Sequence, residues 1–259
     1  STPEKLYKLN AEQLECVALY VSKLDPAFKK RPDTEVPWLP PAEIVMTIII
    51  VGGGGAGKTT LLVEVLVPLL RTYWRPEHVL LRAPSNKAAR LLGMDAKTMH
   101  SAQSLSPESS MRTAALSLKP QAQKSVGKIH EYAGAMHCDE FSQLQGELNH
   151  AYALRTTYAR ATAHHLNCSD YARPTDRFGR IAYLGYSGDE LQMPPVPSSS
   201  SMIRPLTGSD EQKVGAAIFR NADLVFRFEK MMRFDCAILL RILETMRTPG
   251  GKELSSSDW

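Results

Sequence analysis

Four consecutive glycines followed by Ala-Gly-Lys-Thr-Thr, Gly52-Gly53-Gly54-Gly55-Ala56-Gly57-Lys58-Thr59-Thr60, restrict the possible folds of this chain more than any other stretch. The run satisfies G-x-x-x-x-G-K-[ST], in which glycines let the backbone curl until several N–H groups point inward at a phosphate. Before it, Ile44 to Val51 is mostly apolar and β-branched, as in a strand buried on both faces of a parallel sheet. After it, Lys58 to Leu70 has helical spacing, and a helix starting there turns its positive N-terminal end toward the loop. A glycine-rich turn alone would explain the composition but not this order of strand, loop and helix. The pattern predicts that ATP binds with Mg2+, Lys58 reaching the β- and γ-phosphates and the Thr59 hydroxyl ligating the metal.

Around this center the pattern alternates. Leu6 to Leu24 reads as an amphipathic helix, and the proline- and charge-rich stretch from Pro26 to Pro41 as a loop. His78 to Ala83, Arg180 to Tyr186 and Asp223 to Phe228 read as strands; Asn86 to Leu92, Ser142 to His165 and Phe234 to Met246 read as helices. Pro194 to Thr207, with its prolines and serines, reads as a loop, and residues 101–128, of weak periodicity, as either an inserted subdomain or a partly mobile arm. Strands alternating with helices predict an α/β fold, a RecA-like P-loop domain whose mainly parallel sheet is flanked by helices. Residues 1–43 form an N-terminal helix and loop, and 44–259 the nucleotide-binding domain.

Hydrolysis needs an acid for the metal and a group that orients water near the terminal phosphate. Asp139-Glu140 supplies both side by side: Asp139 to hold magnesium through water, Glu140 to orient the attacking water. Such a pair is also common on solvated surfaces, and the residues before it, Ala133 to Cys138, make a weak strand pattern. The P-loop upstream favors the catalytic reading.

With 259 residues, 43% of them hydrophobic, the chain can bury a large core. The most apolar stretch, Ile44 to Leu70, is interrupted by five glycines, Lys58 and Glu64, which excludes a membrane span. Four widely spaced cysteines, Cys16, Cys138, Cys168 and Cys236, lack the pairing of a zinc site and predict free thiols in a reducing, intracellular compartment. The formal charge of +4 permits a polyanionic partner, and between Arg71 and His100 six basic residues stand against two acidic ones. The chain begins at Ser1 rather than Met and stops at Trp259 just after a helical pattern, as expected of a portion of a longer protein.

Further segments carry a resemblance. Leu9-Asn10-Ala11-Glu12-Gln13 looks like a Q motif, Arg82 to Ala89 resembles motif Ia, and Thr98-Met99-His100-Ser101 resembles the T-x-H element after it. Gly188-Asp189-Glu190-Leu191-Gln192-Met193-Pro194-Pro195-Val196 resembles motif III, and Arg233 falls where motif IV carries an arginine. In this order they resemble the RecD-like, Pif-type branch of superfamily 1 DNA helicases, including those of Helitron-type elements. The resemblance implies an ATP-driven translocase on single-stranded DNA, running 5′ to 3′, with roles in DNA repair and recombination. It implies that Gln13 reads adenine, that Gln192 senses the γ-phosphate and that Arg233 stabilizes transition-state charge. Pro84, Ser85, Asn86, Lys87, Thr98 and His100 would contact the DNA backbone, and a second RecA-like domain would follow downstream. Two other readings remain: a P-loop switch that regulates a protein partner, and a degenerate helicase fragment.

Overall fold

The apolar run before the glycines forms β1 (Met46–Gly52), buried along its whole length. In the computed structural model, which describes residues 9–28, 39–41, 44–93, 95–104, 120–165, 178–192, 194–195, 201–203 and 208–232, β1 lies inside a six-stranded sheet ordered β3-β2-β4-β5-β1-β6. The other strands are β2 (Val79–Ala83), β3 (Lys97–Thr98), β4 (Ala135–Cys138), β5 (Tyr183–Gly188) and β6 (Leu224–Phe228), and every pairing is parallel. Parallel neighbors need crossovers, and helices provide them. The described helices are α1 (Ala11–Phe28), which precedes β1, and then α2 (Lys58–Leu61, a π turn over Leu62–Leu66, then Val67–Tyr73), α3 (Asn86–Leu92), α4 (Met99–Ala102), α5 (Pro120–His130), α6 (Gly146–Ala163) and α7 (Asp210–Arg220).

Side chains alternate across the pleat, so β1 feeds two cores. Ile48 and Ile50 join Tyr20 of α1 and Leu61, Leu66 and Leu70 of α2 on one face. Ile49 and Val51 join Leu148 and Tyr152 of α6 and Ile218 of α7 on the other. At roughly 25 cal/mol per Å2 of apolar surface removed from water, these two layers are the main stabilizing contribution to the fold.

Several boundaries differ from the sequence pattern, each for a local reason. The first helix starts at Ala11 because Asn10 and Gln13 close a reciprocal cap: the Gln13 N–H donates to Asn10 Oδ1 at 2.9 Å and the Asn10 N–H to Gln13 Oε1 at 3.1 Å. At its other end it runs past Pro26 to Phe28, since a proline in the last turn forfeits only one backbone bond. The helix after the P-loop widens into the π turn just before Pro68, where the Val67 N–H reaches back to the Leu62 carbonyl. Proline cannot donate and its ring crowds the carbonyl four residues back, so the wider turn accommodates it.

His78 belongs to a 3-10 turn (Pro76–His78) rather than to β2, and Phe141–Gln143 forms another before α6 begins at Gly146. Arg180 adopts a left-handed φ of 51°, which delays β5 to Tyr183, and the strand then continues through Gly185 to Gly188. The pattern before Asp139 is weak, yet β4 is buried throughout and paired on both sides. Within 101–128, Ser101 lies in α4 and Pro120 opens α5, while 105–119 lie outside the described residues, as does the helix expected from Phe234 to Met246. Of the loop expected from Pro194 to Thr207, Ser201 bridges to Gln145. No described helix is long and apolar enough to cross a membrane.

Candidate functional site

Parallel strands deliver all their C-terminal ends to one edge of the sheet, and residues drawn from distant parts of the chain meet there. The glycine loop leaves β1, Asp139 and Glu140 leave β4, and Asp189 leaves β5. Gly57 takes a left-handed φ of 80°, and a Cβ there would stand 2.6 Å from Gln13 Nε2, so only glycine fits without strain. Gly52 and Gly53 are buried, Gly54 and Thr60 are exposed, and Gly55 curls with a φ of 93°. Lys58 is buried, and its ammonium donates to the carbonyls of Gly52 at 2.7 Å and Gly53 at 3.0 Å. That places the charge across the mouth of the loop, where an incoming phosphate competes for it.

Thr59 and Asp139 come together across 80 residues: the Thr59 hydroxyl donates to Asp139 Oδ2 at 3.1 Å. Two hard oxygen donors at a P-loop are what a magnesium ion takes from protein when phosphate oxygens and water supply the rest. Among the described residues no group of three or more His, Cys, Asp or Glu side chains is placed to hold a metal ion. Glu140 has a left-handed φ of 57°, a conformation that costs a residue with a side chain roughly 1–2 kcal/mol. Its Oε2 is buried without a hydrogen-bond partner. Burial and the nearby Asp139 raise its pKa, Lys58 opposes them, and Asp189 adds to the rise. A buried acceptor without a partner, within electrostatic reach of Lys58, Asp139 and Asp189, is suited to hold a water.

Gln13 arrives from α1, and its Nε2 donates to the Ala56 carbonyl at 3.3 Å. The long sequence spacing is thus closed by packing. Gln192 lies in the turn after β5, half-buried, its N–H bonded to the Asp189 carbonyl at 3.1 Å. Arg233 lies outside the described residues. One residue that sequence reasoning passed over is Asp189, whose Oδ2 accepts the Gly54 N–H at 3.1 Å. Its signal was present in the Gly188-Asp189 step, but only the fold shows that this acid faces the loop. Asp139 itself is held from behind: the Ser187 hydroxyl donates to its Oδ1 at 2.6 Å, and Ser187 is in turn 2.8 Å from His137 Nε2. Burial drives the His137 pKa down to about 3, so the ring is neutral.

The residues expected to meet DNA also gather on this edge, at the ends of β2 and β3, where Ala83 is in register with Thr98. Pro84 is half-buried, and Asn86 and Lys87 are exposed. Two hydroxyls serve as helix caps: Ser85 Oγ accepts the Ala88 N–H at 3.2 Å and Thr98 Oγ1 the Ser101 N–H at 3.1 Å. His100 is half-buried, which lowers its pKa. The basic surplus of this region needs a correction. Arg82 is 2% exposed and donates to the Tyr152 hydroxyl at 2.6 Å and to the Leu81 carbonyl, so it cannot attract a ligand in solvent. Without it the stretch from Arg71 to His100 holds five basic residues against two acidic ones, five minus two giving +3. Trp74 is buried, so its ring is no base-stacking platform, and the half-buried Tyr73 donates its hydroxyl to Asp25 at 2.6 Å.

Comparison with known proteins bears on the fold. No curated protein matches the chain in sequence. Among solved structures, Pif1 helicase from Candida albicans superposes with a TM-score of 0.61 at 19% identity, covering 92% of this chain and 44% of that one. Bacteroides Pif1 bound to ssDNA gives 0.56 at 15% identity, covering 92% and 46%. Pif1 helicase from Bacteroides in complex with ADP-AlF3 and ssDNA gives the same values. The likeness is one of fold, and the chain spans under half the length of these structures. The profile of the family described as AAA domain matches residues 43–198, from the threshold of β1 through the segment that carries Asp189 and Gln192. Since that match takes in well over half of the 259 residues, and with it the P-loop, Asp139 and Glu140, the chain belongs to the AAA domain family.

Proposed function

We propose that this chain is the nucleotide-binding motor half of an ATP-dependent DNA helicase. The observation that carries the reading is the meeting of Lys58, Thr59, Asp139 and Glu140 on the same sheet edge as the polar and basic residues of α3, β3 and α4. In this reading the loop N–H groups and Lys58 hold the triphosphate, Thr59 and Asp139 hold Mg2+, and Glu140 holds the attacking water. Magnesium supplies charge neutralization at the phosphates when bound. Gln13 contacts the base, and Gln192 and Arg233 respond to the terminal phosphate. Single-stranded DNA lies along Pro84, Ser85, Asn86, Lys87, Thr98 and His100, its phosphates attracted by Lys87, Arg90 and Lys97, all exposed.

Single-stranded DNA bound to a Pif1 structure of this fold supports the choice of partner. A 5′-to-3′ polarity and roles in DNA repair and recombination follow from the resemblance to Pif-type helicases. The thiols of Cys16 and Cys138, free and buried, suit a reducing intracellular compartment.

Such motors hold ATP between two RecA-like domains, and a transition-state arginine is worth on the order of 10³ to 10⁵ in rate. With a second domain expected downstream, residues 1–259 alone bind ATP, hydrolyze it slowly with little DNA stimulation, and do not unwind a duplex. Nucleotide affinity, ATPase rate with and without single-stranded DNA, and strand displacement on a 5′-overhang substrate test this together. Robust unwinding by residues 1–259 would refute the two-domain reading, and ATP binding with no affinity for DNA would favor a switch that acts on a protein partner.

A further inference from the structure

Behind the metal-facing carboxylate lies a buried file of polar groups for which the nucleotide chemistry above has no use. Asp139, Ser187, His137, Tyr183 and Tyr20 are each at most 3% exposed, and each bonds to the next. Ser187 Oγ to Asp139 Oδ1 is 2.6 Å, His137 Nε2 to Ser187 Oγ 2.8 Å, and Tyr183 Oη to His137 Nδ1 3.2 Å; the Tyr20 hydroxyl then meets that of Tyr183. Four elements take part: α1, β4, β5 and the turn after β4. Satisfying buried polar groups in an apolar core requires complete pairing, and a half-paired file would be worse than none.

The backbone makes room for it. His137 and Gly185 are in register on neighboring strands, and a Cβ at Gly185 would lie 2.2 Å from His137 Nδ1 and 2.3 Å from the Tyr183 hydroxyl. Both are side-chain atoms of buried groups packed inside a sheet face, with nowhere to retreat. Glycine in a strand interior weakens it, and here it marks a close approach that the imidazole requires.

Only one order of donation gives every hydroxyl hydrogen and ring nitrogen of the file a partner. The carboxylate oxygen accepts, so Ser187 gives Asp139 its one hydrogen. Ser187 must then accept from His137 Nε2–H, which leaves Nδ1 as the acceptor for the Tyr183 hydroxyl, and Tyr183 accepts from Tyr20. All the donors therefore point toward Asp139. Its two oxygens are divided: Oδ1 is fixed by Ser187, while Oδ2 accepts from Thr59 and faces the metal position.

We propose that His137 and Ser187 are positioning residues for magnesium, a hydrogen-bonded relay that fixes one oxygen of Asp139 so that the other meets the ion. This rests on the reading of Thr59 and Asp139 as the metal site. Magnesium tolerates little departure from octahedral geometry, so the carboxylate's orientation matters as much as its charge. Partners that hold a ligand from behind typically contribute 10- to 100-fold in metal affinity. The relay also joins the metal carboxylate to α1, the helix that carries Gln13.

The test uses Ser187→Ala, His137→Leu and His137→Gln in the whole chain. Labeled ADP is titrated in EDTA and at graded magnesium concentrations, alongside thermal unfolding and ¹⁵N NMR of the imidazole. Ser187→Ala and His137→Leu are expected to raise the magnesium needed for half-maximal effect by roughly 10- to 100-fold while ADP affinity in EDTA stays within twofold. His137→Gln, whose amide keeps a donor for Ser187 and an acceptor for Tyr183, should recover part of that shift. In the parent, His137 should give the pattern of a ring protonated at Nε2, and this readout needs no nucleotide. A lower unfolding temperature with an unmoved magnesium midpoint in Ser187→Ala, or a ring protonated at Nδ1, overturns the relay. A parent that binds ADP equally with and without magnesium overturns the metal site itself and the relay with it; normal magnesium dependence in parent and Ser187→Ala alike overturns only the relay.

Discussion

Replacing Gly57 with alanine tests the most constrained point of the P-loop. A residue with a Cβ pays roughly 1–2 kcal/mol to hold a left-handed conformation, and Gly57 has a φ of 80°. The new methyl would also lie 2.6 Å from Gln13 Nε2, the end of a flexible side chain, so Gln13 is displaced rather than the backbone. Displacement breaks its bond to the Ala56 carbonyl and the one its Oε1 accepts from the Asn10 N–H, a loss of about 1–3 kcal/mol. The sum is roughly 2–5 kcal/mol, which in a chain of this size lowers the midpoint of thermal unfolding by roughly 4–20 °C. In a Gln13→Ala background the collision is absent, and Gly57→Ala should cost only the backbone part, about 1–2 kcal/mol. Thermal and denaturant unfolding of the parent, both single variants and the double variant measure the difference. Equal costs in the two backgrounds would refute the contact between Gln13 and the loop, and a cost below about 0.5 kcal/mol in both would refute the left-handed conformation.

Glu140→Gln should leave ATP binding intact and slow hydrolysis by roughly 10²- to 10⁴-fold, as read by nucleotide affinity beside single-turnover rate; equal turnover would move the water-orienting role elsewhere. Lys58→Ala removes the ammonium that meets the β- and γ-phosphates, so ATP affinity and hydrolysis should both collapse, and unchanged turnover would remove the P-loop assignment. Replacing Lys87, Arg90 and Lys97 together by alanine should weaken single-stranded DNA binding and reduce the salt slope by about 2, each phosphate contact counting about 0.7. An unchanged slope would place the DNA elsewhere. Asp189→Asn should loosen the Gly54 turn and change ATP affinity with little effect on folding, and unaltered affinity would make the Asp189 contact incidental.

What could be read from the sequence was what depends on neighbors along the chain. The glycine loop, the strand before it and the α3 helix carry their own signals, and Asn86–Leu92 begins and ends where the pattern placed it. Asp139 and Glu140 were legible because an acid pair is the chemical complement of a P-loop, although the strand before them was weak. Asp189 was inside a recognized segment but was not singled out, because its contact with Gly54 spans 135 residues and exists only once β5 lies beside β1. The relay was illegible for the same reason: His137 and Ser187 are 50 residues apart, and a histidine in a strand gives no local hint of what it faces. Arg82 was counted as surface charge because composition cannot distinguish a solvated guanidinium from one that donates to a buried tyrosine hydroxyl. The start of β5 was misjudged because the left-handed turn at Arg180 leaves no local signal, and its end because a glycine within a strand looks like its close.

The segment leaving β6 crosses the P-loop. The Met232 N–H donates to the Gly55 carbonyl at 2.9 Å, Met232 Sδ accepts from Asn10 Nδ2 at 3.3 Å, and the Glu12 carboxylate accepts the N–H groups of Glu229 and Lys230. The phosphate loop is therefore strapped to the outgoing backbone at the Gly55 carbonyl and to the first helix through Gln13, while the outgoing segment is itself tied to Asn10 and Glu12. Any rotation of the Gly55 peptide plane must carry the Met232 amide with it or break their bond. The loop and the segment that leaves β6 are thus one braced unit, pinned by Glu12 and Asn10, and neither can be reshaped without straining the other.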